Sequence, residues 1–159
     1  MKDLIARLLP AILILLTVSA PKLRAQENGY KTFNGMWQLI RISTNGSGER
    51  TVGGGPLKFF NQDGTFFNVF MTDKGPVMSH RGNYVINDLE TYSETIINEN
   101  KDAPYALAGK TYTLTYSFSE DKKLLTISGF VEGKDGRPGL TFREVWKRVE
   151  HGAPEGPPV

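Results

Sequence analysis

The sequence predicts an all-β protein folded as an antiparallel up-and-down (meander) β-barrel. Three observations carry that expectation. In "TYTLTYSF", Thr111, Thr113, Thr115 and Ser117 alternate strictly with Tyr112, Leu114, Tyr116 and Phe118. A period of two puts the hydroxyl residues on one face of a strand and the large apolar ones on the other. Hairpin-length connectors recur, "NQDG" at 61–64, "TDKG" at 72–75, "SEDKK" at 119–123 and "GKDGRPG" at 133–139, in which glycine supplies positive φ and Asp or Asn bonds back to its own backbone. No segment shows a convincing helical repeat of apolar residues, the best helical stretch being a short turn around 103–108.

Taken in order, the chain begins with an export signal. Residues 1–7 carry Lys2 and Arg7, and "LLPAILILLTVSA" (8–20) is an apolar run too short for a comfortable membrane span, followed by small residues. Residues 1–25 read as a secretory signal peptide. Cleavage after Ala25 is favoured over cleavage after Ala20, where Pro21 would directly follow the cut; an uncleaved N-terminal anchor is the alternative. This segment holds four of the 19 basic residues and one of the 17 acidic ones, so the remainder has a formal net charge of −1. Without a clustered basic face, nucleic acid is disfavoured as a partner. The chain has no cysteine, which excludes a thiol nucleophile, a disulfide framework, a thiolate metal site and a lipid-modified N-terminal cysteine. A soluble periplasmic or extracellular protein without a membrane anchor is expected.

Residues 26–34 read as a flexible lead-in, 35–149 as the barrel, and 150–159, proline- and glycine-rich, as a disordered tail. Strands are expected at 37–43, 56–60, 65–72, 77–86, 91–98, 111–119, 124–131 and 140–149. About eight short strands with hairpin turns make a meander that closes into a barrel or folds into a sandwich. Only the connections 44–55 and 99–110 are long, which favours the barrel. A cavity-holding barrel must be stopped at one end. Gly35 lets the first strand curl inward, Trp37 supplies a bulky ring, and Arg148 on the last strand can lie over that ring, because first and last strands of a closed meander are neighbours.

"GMWQLI", "LKFFNQDGTF", "GNYVI", "YSETI", "DKKLLTISG" and "FREVWKRV" together resemble the lipocalin and calycin pattern, and specifically exported bacterial lipocalin-like domains of unknown function. The resemblance implies a small antiparallel barrel with one open end. The chain departs from classical lipocalins in lacking disulfides and a clear C-terminal helix.

Chemistry is sparse. Gly109-Lys110-Thr111 lacks the preceding glycine and the following helix of a phosphate loop, and the run Gly53-Gly54-Gly55 is a flexible loop at the barrel mouth. With only His80 and His151 as histidines, no metal site and no cofactor are expected. Parity places Arg41 with Trp37, Glu144 with Trp146, His80 with Tyr84, Glu94 with Tyr92, and Tyr116 with Tyr112. Arg41, His80, Tyr92, Glu94, Tyr116 and Glu144 are therefore the residues expected to orient a ligand in a mostly apolar lumen, with Arg41–Glu144 equally readable as a structural ion pair. The leading expectation is a barrel binding a small, partly apolar molecule without covalent chemistry. Its rivals are an isomerase or hydrolase using His80 and Glu94 as a proton-handling pair, and an interaction module of the cell envelope using the two long loops. Ligand identity and oligomeric state are not legible.

Overall fold

The computed structural model describes residues 28–101, 107–133, 136 and 138–150. The signal segment, the tail beyond 150 and most of the 103–108 turn lie outside the described residues. A short helix, α1 (28–33), leads into nine strands: β1 Gly35–Thr44, β2 Arg50–Thr51, β3 Leu57–Phe60, β4 Thr65–Thr72, β5 Gly75–Ile86, β6 Thr91–Glu99, β7 Thr111–Phe118, β8 Leu124–Val131 and β9 Leu140–Arg148. From β3 to β9 each strand pairs antiparallel with the next in sequence. β1 closes the ring by pairing with β3 on one side and β9 on the other. β2 is a two-residue strand on the outer half of β1. The result is an all-β, eight-stranded, closed up-and-down barrel.

The turns form as their residues dictate. In the β3–β4 hairpin, Asp63 accepts from the Thr65 amide and hydroxyl (2.9 and 2.7 Å) while Gly64 takes a φ of +82°. Asp88 accepts from the Glu90 and Thr91 amides to turn β5 into β6. Both side chains replace water with their own backbone, which fixes hairpin length and register.

One end of the barrel is stoppered by rings. Within the lead-in, residues 28–33 are helical and Phe33 is fully buried. Its polar composition reads as solvated, but Tyr30 and Phe33, three residues apart, share one face of the helix and drop into the barrel. Phe33 meets Tyr116, Phe60, Tyr92 and Phe118 at centroid distances of 4.8–5.1 Å. Trp37 lies beside them, fully buried, and donates its indole N–H to the Phe33 carbonyl at 2.8 Å.

Arg148 completes the stopper. Trp37 and Arg148 are directly paired across β1 and β9, and the guanidinium carbon is 4.2 Å from the Trp37 ring centroid. Its Nη1 and Nη2 donate to the Asn34 and Thr32 carbonyls, the unsatisfied acceptors at the end of α1. Gly35 makes room: its φ is +126°, and a Cβ there would come within 3.0 Å of Arg148 Nη1. The glycine, tryptophan and arginine thus bind helix, first strand and last strand into one unit.

β1 carries one irregularity that matters for the site. Leu39 pairs with Trp146, but Arg41 pairs with Val145, so Ile40 is an extra residue. Such a bulge exchanges the two faces of a strand. Trp37 and Leu39 point inward before it; Ile42 lines the interior after it.

Candidate functional site

Beyond the stopper the barrel is hollow. A cavity of about 410 Å³ is walled by Ile42, Ile96, Leu114, Ile127, Phe142 and Trp146, with Phe70 and Val77 at its partly exposed rim. Its polar groups come from six strands, Lys58 on β3, Asn68 on β4, Ser79 and His80 on β5, Glu94 on β6, Tyr112 on β7 and Glu144 on β9, with Asn100 just beyond β6.

Lys58 organises this set. It is 4% exposed, and its ammonium sits 2.5 Å from Glu94 Oε1, both side chains being more than nine-tenths buried. It also lies 4.8 Å from the Phe66 centroid and 5.2 Å from that of Phe60, so the aromatic stopper flanks the charge as well as filling the end. Tyr92, fully buried, donates its hydroxyl to the same Glu94 oxygen at 2.8 Å. Burial and the adjacent Glu94 hold the Tyr92 phenol well above its ordinary pKa, so it remains a donor. Glu94 Oε1 thereby holds both a cation and a hydroxyl donor, the partners a buried carboxylate requires.

Glu144 is not satisfied in that way. Its Oε2 accepts from Trp146 Nε1 at 3.0 Å, and no other hydrogen bond to it is made by the described residues. Burial raises its pKa to about 7; the attraction of Lys58 opposes that shift, and repulsion from Glu94 adds to it. His80 moves the other way, down to about 4, chiefly through burial and next through Lys58, so it is neutral at pH 7. Two further polar atoms are orphaned: Asn68 Oδ1, on a side chain 9% exposed, and the Tyr112 hydroxyl. Both residues line the cavity.

Of the residues expected to face a ligand, the structure brings His80, Glu94 and Glu144 together on the cavity wall. Tyr92 acts from beneath, through Glu94. Tyr116 belongs to the stopper, edge to face with Phe33, with its hydroxyl on the Asp88 carbonyl at 2.9 Å. Arg41 does not face the lumen and does not pair with Glu144. The β1 bulge turns it outward, where it meets Glu49 at 2.9 Å with 42% of its side chain exposed.

His80 and Glu94 share the lumen face without being joined. Glu94 pairs across the sheet with Tyr84, four residues from His80, about 13 Å of strand at ~3.3 Å per residue. His80 Nδ1 is bonded to Ser79 Oγ at 3.1 Å. The proton-handling pair required by an acid–base enzyme is not assembled.

Sequence reasoning passed over Lys58 because "LKFF" shows no clean alternation. The signal lay in the hairpin: cross-strand partners share a face, and Trp37 pairs with Lys58, Lys58 with Asn68 and Asn68 with His80. An inward Trp37 therefore implies an inward lysine. Among the described residues no group of three or more His, Cys, Asp or Glu side chains is placed to hold a metal ion, and no helix is long and apolar enough to cross a membrane.

A closed eight-stranded meander, stoppered by a Gly-x-Trp strand and a terminal arginine and hollow at the other end, is a barrel of the lipocalin type. The solution NMR structure of lipocalin 12 from rat epididymis superposes on it with a TM-score of 0.50, at 12% identity, over 76% of this chain and 67% of that one; the likeness is one of fold. Residues 32–157 match the model of a domain of unknown function (DUF4488), and the chain belongs to that family. No curated protein matches the chain in sequence.

Proposed function

We propose that the protein is an exported bacterial binding barrel that holds one small, partly apolar molecule in its lumen without covalent chemistry. The observation that carries this reading is the pairing of an apolar cavity of about 410 Å³ with two unpartnered polar atoms, Asn68 Oδ1 and the Tyr112 hydroxyl, on its wall. Apolar walls supply affinity and a few polar groups fix orientation. An unmet buried polar atom costs about 1–3 kcal/mol, which a ligand supplying the missing partner recovers. The lipocalin-type fold supports the same reading, and the signal-like N-terminus supports action in the periplasm or outside the cell.

The test is thermal unfolding of the purified protein against lipids, bile-type sterols, haem and aromatic metabolites. A ligand at a hundred times its Kd adds about 2.7 kcal/mol, a shift of several degrees. The reading predicts such a shift for at least one class. No shift with any of them, together with a lumen that excludes small apolar solutes, contradicts it.

A further inference from the structure

The polar wall of the cavity points to the chemistry of the ligand's head group. Two carboxylates face the lumen, Glu94 and Glu144, against one ammonium, Lys58. Lys58 is already committed, with Glu94 at 2.5 Å and the Phe66 and Phe60 rings about it. Glu144 is left without a cation of its own. Only Trp146 Nε1 bonds it, and Asn68 Oδ1 and the Tyr112 hydroxyl stand unpartnered in the lining of the same cavity. The open positions are a carboxylate and an amide oxygen, which only accept, and a phenol, which can accept or donate. An anionic head would have to displace Glu94 from Lys58 while facing a second carboxylate. A neutral hydroxyl brings one donor. An alkylammonium brings three donors and the missing positive charge.

Resting on the binding-barrel reading, the geometry points to a primary-amine amphiphile as the ligand class, its ammonium seated against Glu144 within reach of Asn68 and its apolar tail running toward Phe70 and Val77 at the rim. Phe142 and Trp146 also line the cavity, and Trp146 already carries the Lys58 ammonium 5.9 Å from its ring centroid, an environment that accepts a cation.

On the strands beside its own Glu144 has no charged partner, and the one cation that acts on it, Lys58, is held by Glu94. Its strand partners are Ile42 on β1 and Ile127 on β8, both apolar. Across the lumen stand Lys58 on β3, Asn68 on β4, His80 on β5, Glu94 on β6 and Tyr112 on β7. Arg41 and Arg143, which flank this region in sequence, both turn outward onto Glu49. Since burial holds the Glu144 carboxyl up to about 7, an arriving ammonium must drive a proton off it below that pH. Affinity for the amine then falls by roughly tenfold per pH unit below 7.

The experiment is calorimetric titration with decylamine, decanol and decanoate, matched in tail and differing in head, from pH 5 to 8. The amine should bind at least tenfold more tightly than the other two at pH 8. Its affinity should fall with acidity while that of decanol stays flat. At pH 6, titration in buffers of different ionisation enthalpy should show about one proton released per amine bound. Glu144→Gln should erase the amine's advantage and its pH dependence. Decanol binding without an amine preference, or an amine preference that survives in Glu144→Gln or releases no proton in the native chain, overturns this proposal while leaving the barrel reading intact. If none of the three binds, this proposal falls, and the barrel reading stands or falls on the wider ligand panel.

Discussion

The two ends of this barrel are built on opposite principles. At the stoppered end, α1 and strands β1, β3, β5, β6 and β7 contribute rings, Phe33, Trp37, Phe60, Tyr84, Tyr92, Tyr116 and Phe118, that fill the space edge to face. Three of their polar tips are discharged onto backbone carbonyls, Trp37 on Phe33, Tyr84 on Asn61 and Tyr116 on Asp88, and the fourth, Tyr92, onto Glu94. At the open end the same eight strands enclose a cavity, a buried ion pair, a carboxyl at a raised pKa and two orphaned polar atoms. One end is fully satisfied; the other is left short of partners. Packing is concentrated in the first and unmet polar groups in the second, the division expected where a site is supported by a rigid scaffold.

Three perturbations separate the ends. The largest effect belongs to the stopper. Trp37→Ala removes a fully buried indole, its bond to Phe33 and the platform under Arg148, and should cost about 5 kcal/mol, the upper part of the range for such truncations; chemical denaturation reads this directly. Loss of only about 1 kcal/mol would mean that the end is not held by this residue.

Next is the ion pair at the boundary. Lys58→Met leaves Glu94 buried without its cation and should cost about 3 kcal/mol. Adding Glu94→Gln, which keeps an acceptor for Tyr92, should restore most of that loss. Additive losses in the double variant would show that the two side chains are not coupled.

The smallest effect is hidden in the native protein. Glu144 titrates near 7 when folded and near 4.5 when unfolded, so its contribution is full below pH 4.5 and is lost as pH rises to 7. His80 titrates near 4 when folded and near 6.5 when unfolded, so its contribution is full above 6.5 and is lost as pH falls to 4. The two slopes oppose each other over about pH 4.5–6.5. Stability there should be nearly flat in the native chain. Glu144→Gln should make it rise with pH and His80→Asn should make it fall, each by about 2–3 kcal/mol across the window. Parallel profiles in all three proteins would remove both carboxyl and imidazole from the buried set.

What the sequence disclosed follows the same division. The barrel was legible because alternation and turn chemistry are local: Thr111–Phe118 declares its faces unaided, and Asp63-Gly64 declares its turn. Sequence parity also carries through the regular strands, so His80, Glu94 and Glu144 face the lumen. It fails where backbone geometry intervenes. The bulge after Leu39 moves Arg41 to the outside, and nothing in "WQLIRI" marks it. Lys58 was concealed because its inward direction comes from pairing with Trp37 and not from its own strand. The helix at 28–33 was concealed because one phenylalanine, Phe33, outweighs its polar neighbours once it finds five rings to meet.

The account turns on the open end being an accessible, ligand-sized space, and direct binding of a neutral apolar fluorophore measures that. N-phenyl-1-naphthylamine titrated into the protein should bind one per chain, with energy transfer from Trp146 in the cavity wall. Leu140→Trp, which places a large ring into the lumen near the rim, should abolish binding with little loss of stability. Failure of the native chain to bind, or undiminished binding in Leu140→Trp, would contradict a hollow barrel that takes its ligand there.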